Sequence, residues 1–208
     1  HGCLTLDTIT DRELTAAVTW IAGFNVPYQV WIDEHLAPDL DGVTKALRLE
    51  RVAWLMPGML LTDRPDPPPP PPGVSVSPVD TGGLSAWLAV LAEVGMPQAL
   101  TEPLFPPSFG EDSDVTLFLS CLDGHPVGTA IAIRSGDVAG VYSVITLPAA
   151  RGRGVGTAAA WAAVYAGWEW GCDVIVLQAS EMGFNSYQRM GFTTVVRYAA
   201  FESAPERP

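Results

Sequence analysis

Val144-Ile-Thr-Leu-Pro-Ala-Ala-Arg-Gly-Arg-Gly-Val-Gly-Thr157 is the stretch that decides the fold. Its first residues close an apolar run, Ala139 to Thr146, with the composition of a strand. Pro148 cannot continue a sheet interior, and the glycines at 152, 154 and 156 mark a turn. From about Gly154 to Trp170 follows a helix-length stretch with one charge, Glu169, apolar nearly all round and therefore expected to be buried on most sides. A strand, a glycine-rich loop (Leu147 to Arg153) and a helix start leave backbone N–H groups unpaired, and the helix macrodipole adds partial positive charge there. Glycines remove the side chains that would block close approach, and Arg151 and Arg153 add charge. The chemistry predicted from this arrangement is a cradle for phosphate or diphosphate.

Two phosphate-binding motifs fit poorly. A P-loop needs Gly-Lys-Ser/Thr, which is absent. A dinucleotide fingerprint counted from Gly152 requires glycine at 157, where Thr157 stands, and counted from Gly154 it meets Ala159. Pro148 to Arg151 also separate strand from glycines, too long for that tight turn, although Asp173 lies at about the right distance for a ribose contact.

Working outward, Asp173 to Gln178 is a short apolar run typical of a central strand. Phe184 to Met190 is a helix stopped by Gly191, and Thr193 to Phe201 a last strand. Upstream, Val115 to Leu122 and Val127 to Arg134 are strands joined through Asp123-Gly124, and with Ala139 to Thr146 they form an antiparallel meander. Gly83 to Val94 is an amphipathic helix. The class predicted is α/β (α+β), a mixed sheet with one β-α-β crossover. Asp66 to Gly73 reads DPPPPPPG, a stiff polyproline II spacer or exposed loop and the obvious boundary in the chain. Before it, Asp11 to Phe24 is a helix, Tyr28 to Ile32 a strand, Asp41 to Arg51 a helix and Gly58 to Thr62 a strand. The organisation expected is an N-terminal α/β segment over 1–65, a linker over 66–73, the main domain over 74–202 and a tail over 203–208.

Composition narrows the function classes. The chain has 208 residues, is 48% apolar and carries a net charge of −12 with Lys45 its single lysine. Such a field repels nucleic acid and favours cationic substrates such as amines. Between Thr146 and Arg197 the balance reverses: four arginines (Arg151, Arg153, Arg189, Arg197) face three acids (Glu169, Asp173, Glu181). An anionic ligand would meet less repulsion there. No run of 18 or more apolar residues occurs, so no membrane span or membrane partner is expected. His1 to Thr10 lack the basic start and apolar run of a signal peptide, and His1 in place of Met leaves room for a preceding segment. Cys3, Cys121 and Cys172 are widely spaced and odd in number. Neither a disulfide framework nor a zinc site is predicted, and a reducing cytoplasm fits best.

Arg151-x-x-Gly154-x-Gly156 resembles the R/Q-x-x-G-x-G/A signature of the GCN5-related N-acetyltransferase (GNAT) superfamily. A second stretch, Leu177-Gln-Ala-Ser-Glu-Met-Gly followed by Tyr187-Gln-Arg-Met-Gly-Phe192, is similar to that family's downstream strand and its Y-x-R/K-x-G-F ending. The resemblance covers roughly Val74 to Glu202. Residues 1–65 would then be a degenerate half-domain of the same kind. It implies a mostly antiparallel sheet with splayed central parallel strands flanked by helices. It also implies acetyl-CoA as acyl donor, no metal, and direct transfer to an amine in a ternary complex, the acceptor being a small amine, an aminoacyl group or a protein lysine. The cofactor would lie in a V-shaped split between Val141–Thr146 and Asp173–Gln178. Backbone groups near Ile145, Thr146 and Leu147 would pair with the pantetheine arm. The amides of Gly152, Arg153, Gly154, Val155, Gly156 and Thr157, beside Arg151, would hold the diphosphate. Ser180 and Asn185 match positions that meet the arm. Tyr187 matches the acid that protonates the leaving thiolate, a role suited to a phenol.

One departure stands out. Many members carry an acidic residue on the strand before the cradle, whereas this strand offers Tyr142, Ser143 and Thr146. Glu181, Glu102, Glu111, His125 and a water relay remain open as the base. A CoA-binding module with this fold but no catalysis is the alternative, and a scaffold docked through the proline run a third; a homodimer is compatible with each. His35 lacks metal-ligand spacing.

Overall fold

The computed structural model describes residues 2–4, 9–23, 28–80, 82–97, 101 and 104–203. Nine strands run β1 Gly2–Leu4, β2 Gln29–Asp33, β3 Leu49–Leu61, β4 Val74–Pro78, β5 Val115–Leu122, β6 His125–Ser135, β7 Val138–Thr146, β8 Val174–Gln178 and β9 Thr193–Ser203. Helices that lie wholly among the described residues are α1 Asp11–Ala22, α2 Asp41–Ala46, α3 Leu84–Glu93, α4 Val155–Glu169 and α5 Glu181–Arg189, with 3-10 turns at Pro107–Glu111 and Pro148–Ala150. The chain divides into two compact units, one of His1–Met59, Gln178–Asn185 and Thr193–Pro208, the other of Leu60–Leu177 and Ser186–Phe192.

In the first unit the strand order is β1-β2-β9-β3, with β1 parallel and β9 antiparallel to β2. Helix α1 starts at a capping box in which Thr10 accepts from the Glu13 amide and Glu13 from the Thr10 amide. It buries Leu14, Val18 and Ile21, one stripe at helical spacing, with Leu14 and Val18 in a core shared with Val30, Ile32, Leu49, Ala199 and Phe201. Here the sequence reading needs correction. The helix predicted to Arg51 ends at Ala46, because Arg48 turns left-handed (φ 55°) and the chain then enters β3. β3 is a strand of 13 residues rather than the short Gly58–Thr62 piece. Its apolar run Ala53–Leu61 has strand composition, and the helical spacing of Val43, Ala46 and Leu47 masked the break.

The second unit has the order β8-β7-β6-β5-β4. β4, β5, β6 and β7 are antiparallel in succession, as the predicted meander requires, while β7 and β8 are parallel. The class read from the sequence, a mixed and mostly antiparallel sheet flanked by helices, is the one observed. The Asp123-Gly124 hairpin has positive φ at both residues (52° and 82°), the geometry that matches strand twist. β4 was not foreseen. It adds an edge strand immediately after the prolines, with Val74 opposite Leu122.

One face of this sheet buries Trp87 and Leu91 of α3 against Leu117 and Ile131. The indole N–H of Trp87 donates to the Phe118 carbonyl (3.1 Å), so the buried ring leaves no polar atom unpaired. Against β5, β6 and β7 lies α4, every residue of which except Glu169 is buried or half-buried. Gly167 is needed there: a Cβ would come within 2.6 Å of both Ala139 and Ile175.

The proline run is a strap rather than a free spacer. At one end Arg64 donates to the Cys172 carbonyl (3.0 Å) and meets Asp173 at 3.5 Å, just past the end of α4. At the other, Pro71 lies against Gly154, just before its start. Seven residues of polyproline II span about 22 Å, and the helix length between these anchors is about 27 Å. The run is therefore tied at two points, one near each end of α4.

Candidate functional site

The site begins where β7 and β8 part. Their parallel ladder is Val138–Val174, Ala139–Ile175 and Gly140–Val176, and it stops there although both strands continue. On its other side β7 slips against β6: Thr129 is opposite Ile145, while Ile131, two residues on, is opposite Tyr142. The extra residue sits in a bulge where Ser143 has φ 47°. The hydroxyl of fully buried Thr129 donates to the Ser143 carbonyl (2.8 Å), so the irregular segment is not left with a buried orphan acceptor. Bulges bend the strand that carries them, and this one re-aims Val144 to Thr146.

Beyond β7 the Leu147 amide donates to the Val127 carbonyl (2.8 Å), and Leu147 and Ala150 are buried. The loop then turns on Gly152 (φ 74°) and Gly154 (φ 78°), left-handed positions that glycine takes at least cost. Among the described residues, no protein group accepts from the amides of Gly152 to Thr157; the first intrahelical bond is Ala158 N–H to the Gly154 carbonyl (3.0 Å). A Cβ on Gly152 would meet nothing within 4 Å. On Gly156 it would come within 3.0 Å of the Thr146 hydroxyl, so this glycine lets the helix start sit beside the end of β7. Arg151 donates from Nε to the Thr146 carbonyl (3.2 Å), and Arg153 pairs with Asp123 at 3.6 Å. Both guanidinium groups remain accessible to solvent. N–H groups without an acceptor among the described residues, a helix start and two arginines are the donor set that a diphosphate needs, and the residues fit one.

Tyr187 lies on α5, half-buried, its ring edge-on to Phe192 with centroids 5.9 Å apart. Burial pushes its phenol up to about 12. It is therefore protonated throughout the ordinary pH range, as a proton donor must be. Tyr142, on β7, has its ring over Gly140, where a Cβ would collide with it, and burial raises its phenol as well.

The cradle residues Ile145 to Thr157 and Tyr187 fall in the second compact unit, Ser180 and Asn185 in the first. Ser180 caps α5, its Oγ accepting from the Gly183 amide (3.2 Å); Asn185 is exposed on that helix. In the same unit Trp54 donates to the Ala179 carbonyl (3.2 Å) and stands edge-on to Phe184. Of the base candidates, Glu111, His125 and Glu181 are exposed, and Glu102 lies outside the described residues. Sequence reasoning missed the Ser143 bulge; a threonine inside the apolar run Val127 to Ile133 was its one signal.

A sequence profile of the acetyltransferase (GNAT) family matches residues 87–192, about half of the chain. The chain belongs to the acetyltransferase (GNAT) family. The profile spans both glycine-rich loop and Tyr187, and makes this protein a GNAT acetyltransferase. No curated protein sequence matches it. Solved structures share the GNAT fold. A GCN5-related N-acetyltransferase from Kribbella flavida is 21% identical, with TM-score 0.64 over 94% of this chain and 75% of its own. One from Sphaerobacter thermophilus is 19% identical, with TM-score 0.67 over 92% and 66%. A tandem GNAT protein from the clavulanic acid biosynthesis pathway is 14% identical, with TM-score 0.64 over 94% and 70%. Among the described residues no helix is long and apolar enough to cross a membrane.

Proposed function

We propose that this GNAT protein transfers the acetyl group of acetyl-CoA to a primary amine, on a small molecule or a protein lysine, by direct attack in a ternary complex. The observation that carries the reading is the row of amides from Gly152 to Thr157 with no acceptor among the described residues, at the start of α4 and beside the point where β7 leaves β8. Those amides, with Arg151 and Arg153, would hold the diphosphate. The edge of β7 beyond its ladder with β8, at Ile145 and Thr146, and Leu147 next to it would take the pantetheine arm as an added strand, with the Leu147 amide already committed to Val127. For Ser180 and Asn185 the role in the arm's binding that the family resemblance implies is kept as a proposal.

A bound acetyl-CoA supplies the activated thioester; the protein's own groups do the rest. An amide of the bulged β7 segment stabilises the charge that develops on the carbonyl oxygen. Tyr187, held protonated by burial, gives its proton to the departing sulfur. β7 brings no carboxylate to this point, so the amine is deprotonated through water, with Glu181, Glu111 or His125 as terminal acceptor. A net charge of −12 draws cationic amines toward the protein. We place the reaction in the cytoplasm, without metal, and read residues 1–65 as a degenerate half of the same fold.

Thiol release from acetyl-CoA with a panel of amines tests this. Release that depends on an added amine is expected. Tight CoA binding with no turnover on any amine would make the protein a silent CoA-binding module instead.

A further inference from the structure

The cradle loop is held at three points by residues outside it. Arg151 is tied back to the Thr146 carbonyl and Arg153 to the Asp123 carboxylate, while Gly154 rests on the Pro71 ring. The last contact is close: a Cβ on Gly154 would lie 2.6 Å from Pro71 Cγ. Pro71 is itself fixed. Its carbonyl accepts from Val74 (3.0 Å), and the Gly73 carbonyl accepts from Asp123 (2.8 Å), the same residue whose carboxylate meets Arg153. Beneath these contacts Val74, Leu122, Ala150 and Val155 form one small core. Strap end, hairpin turn and cradle are thus a single cluster, anchored at the far end by Arg64 on Cys172 and Asp173.

We propose that Pro71 is a positioning residue for cofactor binding. The strap braces Gly154 in its left-handed turn, so that the amides of Gly152 to Thr157 already point at a common centre before ligand arrives. The inference rests on the cofactor reading above. Its physical basis is preorganisation: a loop fixed in advance gives up less freedom on binding. Consecutive prolines suit a brace because their backbone has little freedom to lose. A Cβ on Gly152, unlike one on Gly154 or Gly156, would meet nothing within 4 Å.

The test compares Pro71→Ala with Pro69→Ala in the full chain. Pro69 lies on the same strap but is exposed. Two quantities are measured: CoA affinity by calorimetry, and hydrogen exchange of the Gly152–Thr157 amides in the ligand-free protein. For Pro71→Ala we expect affinity to fall about tenfold, with faster exchange confined to the cradle. Unchanged protection of the β4–β5 amides will show that the variant is folded. Pro69→Ala should match the wild type in both. Wild-type exchange and affinity in Pro71→Ala would overturn the brace. So would equal losses in the two variants, because the strap would then be acting through general stability. Failure of the wild type to bind CoA would instead overturn the cofactor reading, whatever the exchange result.

Discussion

Thr129 Oγ1 donates a 2.8 Å hydrogen bond to the carbonyl of Ser143, at the place where β7 steps out of register with β6. Thr129 is fully buried, so the bond cannot be replaced freely by water. Thr129→Val keeps shape and removes the donor. It should cost about 1 kcal/mol, the usual net worth of such a hydrogen bond. Urea denaturation measures it, and wild-type stability would mean that the bulge holds without this bond.

Gly152 permits a cleaner electrostatic test than its neighbours. A Cβ there meets no atom, so substitution strains only the backbone, at φ 74°. Asn and Asp have nearly the same shape, and both tolerate left-handed backbone. Gly152→Asp should bind CoA at least about tenfold more weakly than Gly152→Asn, with a gap that narrows as salt is raised. Equal affinities would place the diphosphate elsewhere.

Tyr187→Phe removes one hydroxyl and keeps the ring against Phe192. Turnover should fall by about 10²-fold or more, with KM for acetyl-CoA near the wild-type value. An unchanged kcat takes Tyr187 out of the chemistry.

Burial of Tyr187 also makes stability depend on alkaline pH. Its phenol titrates near 12 in the folded chain and near 10 when unfolded. Between those values the folded state holds a proton that the unfolded state has lost. The stability linked to this group is therefore fully present below pH of about 10 and declines as pH rises through about 12. Tyr142 and Tyr198, also raised by burial, act in the same direction. Urea midpoints above pH of about 10 should fall more steeply for wild type than for Tyr187→Phe; parallel curves would contradict it.

Arg48 ends α2 in a left-handed conformation (φ 55°) that glycine adopts without strain. Arg48→Gly should raise stability by about 0.5–1 kcal/mol, read from the same urea curves; destabilisation would show that the arginine side chain matters more than its backbone.

Much of the second unit was legible because local signals agree with one another. β5 was read to the residue, Val115 to Leu122, since its apolar run ends at Asp123-Gly124. The turn before α4 was legible because glycines between an apolar strand and an apolar helix mark a change of direction. Elsewhere the information is not local. Val43, Ala46 and Leu47 keep helical spacing, yet the chain leaves the helix at Arg48, because β3 gains more from pairing in a sheet than the residues would from another helical turn. The Ser143 bulge depends on a partner 14 residues away. The contact of Pro71 with Gly154 joins distant parts of the chain, and composition describes the stiffness of the prolines without giving their destination.

The strap also bears on how far the chain can be divided. A fragment cut to begin at Val74 would keep the meander, α4 and the family signature, yet would lose Pro71, the residue against which Gly154 lies. Stretches that carry a family's recognisable sequence are not for that reason separable pieces of protein, and here a residue that packs against a signature glycine lies upstream of the part by which the family is known.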